Sequence, residues 1–522
     1  MTYLAVAIQV REPETAPASR REVIADFCRA AKAAGVEMIE LRLDYLETPQ
    51  PAAVSEIIEI AKKTQLPLIA TCRPSWEGGY FKGSEEERQN LLLTALTAGA
   101  DYVDVEWACL DQEGSRVSEL LDRSAERVIL SSHDFDGKPA DIAQLLEKMG
   151  QHKAAVRKAA YQANEITDGF AALDLLQDKE QSGSLIGLAM GESGLMTRVL
   201  AKKLGGFLTF ASISEGEGTA PGQLTVEEMK QVYRWDALNR ETVVCGVIGN
   251  PIGHSKSPAV HNAAFTEMGF NGVYLPFLVE TPWNKFREFV DGLREREWLS
   301  VRGLSVTIPH KHNALHYVQE SGGSLEPLAE KIGAVNTLVL EKGGRVSGYN
   351  TDYAGALDAI THALGMERQE LQGMPAAIIG GGGVARAVAA GLTDAGCQVT
   401  IYNRTVEKAQ GLAAEFECSY AGLNALGTMD AKLVVNATRV GMYPEVKVSP
   451  LPEKYLRRDL AVFDTVYNPA KTLLLQQAEN IGAQVIDGLS MFVNQAATQF
   501  ELFTGAKAPR GLMRSVLERH LL

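Results

Sequence analysis

The segment PAAIIGGGGVARAVAAGLTDAGCQVTIYNRT, residues 375–405, reads as an apolar strand, a glycine turn, a small-residue helix and a second apolar strand. Gly380, Gly381, Gly382 and Gly383 allow a tight turn and let a ligand approach the backbone closely, with Val384 just inside the helix. An anion over that helix N-terminus meets unpaired N–H groups and the positive end of the dipole. A glycine run alone is a weak signal, but the flanking strands supply the context that a dinucleotide's pyrophosphate requires. The second strand ends in Asn403-Arg404-Thr405, where a reader of a free ribose hydroxyl would be Asp or Glu. A cation and a hydroxyl there suit a 2′-phosphate, so NADP is expected over NAD. The plainer alternative is a solvated strand-end arginine.

Upstream, polar DALNRET (236–242) bridges to an apolar strand, VVCGVIG (243–249), and then to the loop GNPIGHSKSPAVHNAAF. Ser255 and Ser257 put two hydroxyls before a helix expected after Pro258, although such a loop is most often only a turn. Downstream, GLSVTIPHK and GAVNTLV bring a threonine, a lysine and an asparagine to expected strand ends.

The first 215 residues follow another rhythm. Apolar runs recur at 4–10, 37–43, 66–72, 101–107, 127–132, 154–160, 184–190 and 206–212, with helix-like segments such as 21–35 and 84–99 between most of them. Eight such repeats predict a parallel (β/α)8 barrel, with a doubly wound open sheet as the alternative. Barrel chemistry sits at the carboxyl ends of strands. Glu40 and Arg42 end the second run, Arg73 the third, Glu106 the fourth and His133 the fifth, while Lys158 lies within the sixth. Ala154, Val156, Lys158 and Ala160 share one face by the two-residue period, which leaves room for a substrate and little water. Desolvation of that kind favours a nucleophilic amine. Lys153 is the rival nucleophile, a snorkelling lysine is the plain reading, and Arg157 should point into the helix layer.

Composition fits two or three domains. The 522 residues are 46% hydrophobic with a formal net charge of −14, which argues against phosphate-backbone binding. Six cysteines lie scattered without a CxxC pair, so neither a metal site nor a disulfide scaffold is signalled. With no 18-residue apolar run and no basic leader before LAVAIQV, a cytoplasmic protein away from membranes is expected.

In register along residues 1–235, ELRLD, TCRPSWEGG, SSHDF, the lysine strand and TAPGQ resemble type I 3-dehydroquinate dehydratase. The resemblance implies that Lys158 forms a Schiff base with the substrate ketone, His133 moves protons, and Glu77 orients or tunes His133. It further implies that Arg42, Arg73 and Arg198 hold carboxylate and hydroxyls, with Glu40, Thr219 and Gln223 at ring hydroxyls and no cofactor. Thr219 replaces the usual serine, and Arg157 and Ala159 flank the lysine where bulkier apolar residues are usual.

From residue 243 to 522, SKSPxxHN, Thr-Ile-Pro-His-Lys, GAVNT, NTD, the glycine loop, NRT and DGLSMFVNQAATQFELF resemble shikimate dehydrogenase. By that resemblance residues 243–345, completed by helices at 490–522, form an α/β substrate domain, and 346–489 form a Rossmann-type NADP domain. Ser255 and Ser257 would bind the substrate carboxylate, and Thr307, Asn336 and Gln495 its hydroxyls, with Tyr467 close by. Lys311 and Asp352 would form the catalytic pair; elsewhere such a pair is a weak salt bridge, but beside a carbonyl accepting hydride it can protonate the developing alkoxide. Thr438 and Gly488 would line the cofactor, and Arg439 stands where a small hydroxyl residue is usual.

The two resemblances imply consecutive steps, dehydration of 3-dehydroquinate and then reduction of 3-dehydroshikimate to shikimate. The partners expected are these small molecules, not nucleic acid or membrane, and a homodimer stays open. A quinate-using, NAD-linked dehydrogenase half is one alternative. A catalytically silent metabolite sensor is another, against which all the candidate lysines and histidines are present.

Overall fold

The structure, a computed structural model, describes residues 2–11, 19–110, 115, 117–177, 184–214, 216, 222–341 and 343–521. It divides into two compact units whose principal boundary falls between Thr242 and Val243.

The first unit is a parallel barrel of eight strands: β1 (Tyr3–Gln9), β2 (Met38–Arg42), β3 (Leu68–Thr71), β4 (Tyr102–Glu106), β5 (Val128–Asp134), β6 (Val156–Gln162), β7 (Leu185–Met190) and β8 (Leu208–Ala211). Each strand pairs with its sequence neighbour from β1 to β7, and β1 also pairs with β8. Across the remaining seam the Phe207 N–H donates to the Leu185 carbonyl at 2.7 Å, so the barrel nearly closes. An open doubly wound sheet is excluded.

Sequence chemistry sets where the helices begin and end. Ser84 caps Glu85–Ala98 in a capping box with Glu87, and Gly99, at φ +106°, ends it in a left-handed turn. Inside the barrel Ala5, Met38, Ile69, Ile129, Val156, Ile186 and Phe210 belong to one apolar cluster. Arg157 takes the outward side of β6, as its alternation with Lys158 requires, and donates to the Leu146 carbonyl of the helix Ile142–Gly150.

The polar bridge after the barrel is not a free tether. Trp235 is buried, its indole donates to Glu37 at 3.3 Å, and Lys203 donates to the Arg240 carbonyl at 2.8 Å. This segment is therefore docked on the first unit, because the indole must be buried and its N–H then needs a partner.

The second unit carries two six-stranded sheets. One contains β9 (Val243–Gly249), β10 (Gly272–Leu278), β11 (Val301–Val306), β12 (Ser324–Leu325), β13 (Thr337–Leu340) and β14 (Val346–Tyr349), ordered β10-β9-β11-β13-β14-β12. β14 forms a hairpin with β13, so this sheet runs through Tyr349, past the expected boundary at 345. The other contains β15 (Pro375–Ile379), β16 (Gln398–Asn403), β17 (Ser419–Gly422), β18 (Leu433–Asn436), β19 (Ala461–Asp464) and β20 (Gln484–Ile486). Its order, β17-β16-β15-β18-β19-β20, is the doubly wound 3-2-1-4-5-6 arrangement, with the topological switch beside the glycine turn that follows β15. The helices Thr351–Leu364 and Gly488–Thr504 pack closely, since a Cβ on Gly355 would stand 2.8 Å from the Gln495 nitrogen. Among the described residues no helix is long and apolar enough to cross a membrane.

Candidate active sites

At the carboxyl end of the barrel the two-residue period turns alternate side chains inward, and they form one buried charge network. Lys158 Nζ lies 2.9 Å from Asp104 Oδ2 and 5.1 Å from the Phe210 ring centroid. Asp104 also meets Arg73 Nη2 at 3.0 Å and accepts from the Ser131 hydroxyl at 2.6 Å. Burial alone would push the Asp104 carboxyl up, but Arg73 and Lys158 overcome it and hold Asp104 well below the ordinary carboxylate range. Arg73 donates to Glu106 at 2.5 Å, and Glu106 in turn meets Arg88 at 2.5 Å from the helix Glu85–Ala98.

His133, on the neighbouring strand β5, places Nδ1 2.8 Å from Glu77 Oε1, and its own backbone N–H donates to the same oxygen at 2.9 Å. Burial, with Arg73 and Lys158 nearby, holds the imidazole well below its ordinary value and therefore neutral. Burial pushes the Glu77 carboxyl up to about 8, partly offset by Arg73. Both shifts disfavour charge on the pair: the imidazole is held neutral and the carboxyl is held above the ordinary carboxylate range.

The other barrel candidates reach the same rim by different routes. Glu40 accepts from the Thr71 hydroxyl at 2.7 Å, while Arg42 forms a fork on Asp44 at 2.9 and 2.8 Å. Arg198 is buried in the first turn of the helix Leu195–Leu204 after β7, and burial lowers its guanidinium to about 10. Gln223 lies in the loop after β8, where a Cβ on adjacent Gly222 would be 2.5 Å from the Gly191 carbonyl. Thr219 lies outside the described residues. Lys153 is exposed before β6 begins, at the opposite end from the network.

In the second unit a cleft of about 400 Å³ is lined by Ser255, Ser257, Thr307, Lys311, Asn336, Asp352, Tyr467, Gly488, Gln495 and Val384, among others. Lys311 Nζ donates to Asp352 Oδ2. Lys311 opens the helix Lys311–Glu320 instead of ending a strand, and Asn336 precedes β13. β13 runs antiparallel to β11, which is why the start of one and the end of the other (Thr307) share an edge. Asn336 is buried, donating to the Thr351 hydroxyl at 3.0 Å and accepting from the Thr351 N–H at 2.8 Å. It thereby fixes the turn that carries Asp352. The helix Ser257–Glu267 begins one residue before Pro258 instead of after it, so Ser257 is its first residue and only Ser255 precedes it.

The glycine turn sits over the β15 end. Gly380 has φ +133°, and a Cβ there would stand 2.8 Å from the Ala437 carbonyl and 3.2 Å from the Thr438 methyl, so no other residue fits. Gly382 caps the helix Gly383–Asp394, and a Cβ on Gly382 or Gly383 would meet nothing within 4 Å, which leaves the backbone open to a ligand. Asn403 donates to the Thr405 carbonyl at 2.9 Å, shaping the turn that exposes Arg404 and Thr405. These features fit a dinucleotide.

Known families match both units. Residues 16–240 match the type I 3-dehydroquinase model, 247–338 the shikimate dehydrogenase substrate binding domain, 364–442 the shikimate / quinate 5-dehydrogenase model and 488–518 the shikimate 5'-dehydrogenase C-terminal domain. A chloroplastic bifunctional 3-dehydroquinate dehydratase/shikimate dehydrogenase of Arabidopsis thaliana is 37% identical over 504 residues, covering 93% of this chain and 80% of its own. The chain belongs to this bifunctional family. The NADP(+) shikimate dehydrogenases of Methanopyrus kandleri and Haloarcula marismortui are 41% and 43% identical over 55% and 53% of this chain, covering 98% and 99% of their own.

In the dehydratase half, Asp104 is the residue the sequence reading passed over, although DYVDVEW places it on the same face as Glu106. Arg88 gave no local signal, because it lies on a helix and reaches the barrel only through the fold. In the dehydrogenase half, Ser305 and Gln499 also line the cleft; Ser305 donates to Gln499 at 2.7 Å, and Gln499 to Thr337 at 3.0 Å. Lys408 is a further exposed cation, in the first turn of the helix Val406–Phe416, and its Cβ lies 3.6 Å from where a Gly381 Cβ would stand.

Proposed function

We propose that Lys158 is the covalent nucleophile of the dehydratase half, and that Lys311 and Asp352 carry the proton chemistry of the dehydrogenase half. The observation behind the first reading is the juxtaposition of Lys158 and neutral His133 on adjacent strands, in one water-poor network. The Lys158 amine adds to the ketone carbon of 3-dehydroquinate and expels water to form an imine, which draws electron density from the adjacent carbon. His133 takes a proton from that carbon and returns one to the departing hydroxyl, releasing water. Hydrolysis of the imine frees 3-dehydroshikimate and the lysine. Arg73 and Arg42 supply planar forks for substrate oxygens, Arg198, Thr219, Gln223 and Glu40 complete the ring contacts, and Glu77 holds His133 in register.

In the dehydrogenase half, Ser255 and Ser257 hold the carboxylate at a helix start, and Thr307, Asn336, Gln495 and Tyr467 face the ring hydroxyls. Lys311, ion-paired to Asp352, protonates the carbonyl oxygen as it becomes an alkoxide. NADPH, when bound, supplies the hydride. Gly380 to Gly383 with Val384, Thr438 and Gly488 would cradle it, and Asn403, Arg404, Thr405 and Lys408 would read its 2′-phosphate. A reducing, cytoplasmic setting agrees with six free cysteines.

The test is purified protein with 3-dehydroquinate and NADPH, following enone absorbance and NADPH loss together. Lys158→Ala should abolish enone formation yet leave reduction of supplied 3-dehydroshikimate nearly intact, and Lys311→Ala should do the reverse. Loss of both reactions from either substitution, in folded protein, would refute the assignment.

A further inference from the structure

Arg439 breaks the pattern around it: it follows Asn436-Ala437-Thr438, where the family resemblance calls for a small hydroxyl side chain. The backbone that carries it is fixed. Thr438 accepts from the Val440 N–H at 3.1 Å and donates to Asn436 at 2.7 Å, and the Met442 N–H donates to the Arg439 carbonyl at 3.1 Å. The side chain itself is exposed and makes no ion pair or hydrogen bond among the described residues, whereas Arg386 and Arg457 of the same sheet domain have carboxylate partners. An arginine left open on a rigid turn suits a ligand's flat surface.

Its position says which part of the ligand. Register places Ile379 opposite both Tyr402 and Asn436, so the ends of β16 and β18 flank the glycine turn at one level. Arg404, Thr405 and Lys408 all follow β16, and Arg439 follows β18 on the opposite flank. Two strand spacings separate those flanks, about 10 Å, enough for a flat base between two extended side chains. The 2′-phosphate is read at the second-strand flank. What remains for a cation on the other flank is the face of the base, and a planar guanidinium stacks on such faces as a serine cannot.

We infer that Arg439 is a cofactor-binding residue that stacks on the adenine ring, gripping NADP and NAD alike, while discrimination between them stays with Arg404. This rests on the NADP reading above and adds a residue to it.

The experiment is direct binding, read from the fluorescence of NADPH and NADH titrated into the intact protein, with adenosine 2′,5′-bisphosphate as competitor. Arg439→Ser, at an exposed site, should weaken NADPH and NADH by the same factor, about threefold to thirtyfold. Arg439→Lys keeps the charge but loses the plane, and should not restore binding. Arg404→Ala should weaken NADPH and the bisphosphate while sparing NADH. Overturning results are an Arg439→Ser loss confined to 2′-phosphate ligands, full rescue by lysine, or unchanged affinities. Should unmodified protein bind no NADPH at all, the NADP reading itself fails and this inference with it. Urea unfolding followed by circular dichroism, measured alongside, reports that the second unit of each variant is folded.

Discussion

Replacing Asp104 with asparagine tests the barrel's charge network at its centre. The carboxylate is about 1% exposed and serves two cations, Lys158 at 2.9 Å and Arg73 at 3.0 Å, besides the Ser131 hydroxyl. At an effective dielectric near 20, one such pair is worth about 5–6 kcal/mol of attraction. Asparagine keeps the shape and one acceptor oxygen but removes the charge. The two losses do not add, because both cations share one carboxylate and Arg73 retains Glu106. Breaking a buried pair from one side costs about 3–5 kcal/mol, and that is the expected fall in stability of the dehydratase half. Lys158 and Arg73, now less well neutralised, should move apart, and displacement on the order of 1 Å from productive geometry slows dehydration about a hundredfold. The assay pairs urea unfolding with both activities, and with borohydride reduction in the presence of 3-dehydroquinate to trap the imine. Wild-type protein should carry the adduct on Lys158 and not on Lys153, Asp104→Asn should trap far less, and 3-dehydroshikimate reduction should be unchanged. Stability within about 1 kcal/mol of wild type and dehydration within about threefold would refute the reasoning, since an exposed pair would give that.

Two further outcomes follow from the same geometry. Arg404→Ala should raise the Michaelis constant for NADP about tenfold to a hundredfold and leave that for NAD nearly unchanged, because a charged contact to a 2′-phosphate is lost; equal effects would remove the role. Glu77→Gln should change how stability depends on pH. With Glu77 raised to about 8 and His133 lowered, folded and unfolded chains each bind one proton from the pair between about pH 4.5 and 6.5, so the pair adds no slope there. From about 6.5 to 8 only the folded chain keeps its proton, and wild type should lose about 2 kcal/mol as pH rises. In Glu77→Gln only the lowered histidine titrates, so stability should fall on acidification through about 6.5 and stay level above it. Parallel alkaline slopes for the two proteins in urea titrations would show that Glu77 does not hold the proton.

Local chemistry in the chain determined much of this protein. Eight apolar runs, each one strand long with helical spacing between them, demand a layered α/β arrangement, since every strand must bury one or both faces. Gly380 announces a backbone conformation that no other residue adopts there, and Arg404 fills the position where an acid would stand. Ser84 and Gly99 mark their helix's ends in the same local way. Tertiary structure decided what depends on partners distant in sequence. Asp104 looks like one more alternating acid until β4 is laid beside β5 and β6, where Lys158 becomes its neighbour across 54 positions. Arg88 lies on a helix, and only packing brings its guanidinium to Glu106. Asn336 looked like a strand-end hydroxyl contact, and β13 turned out to run antiparallel, bringing that side chain to Thr351. Trp235 stands at the edge of the polar bridge 236–242, and only the fold shows it buried, with its indole donating to Glu37. Turn geometry and hydrophobic period act over a few residues and can be read from the chain. Neutralisation of a buried charge acts through space, and its partner is chosen by the fold.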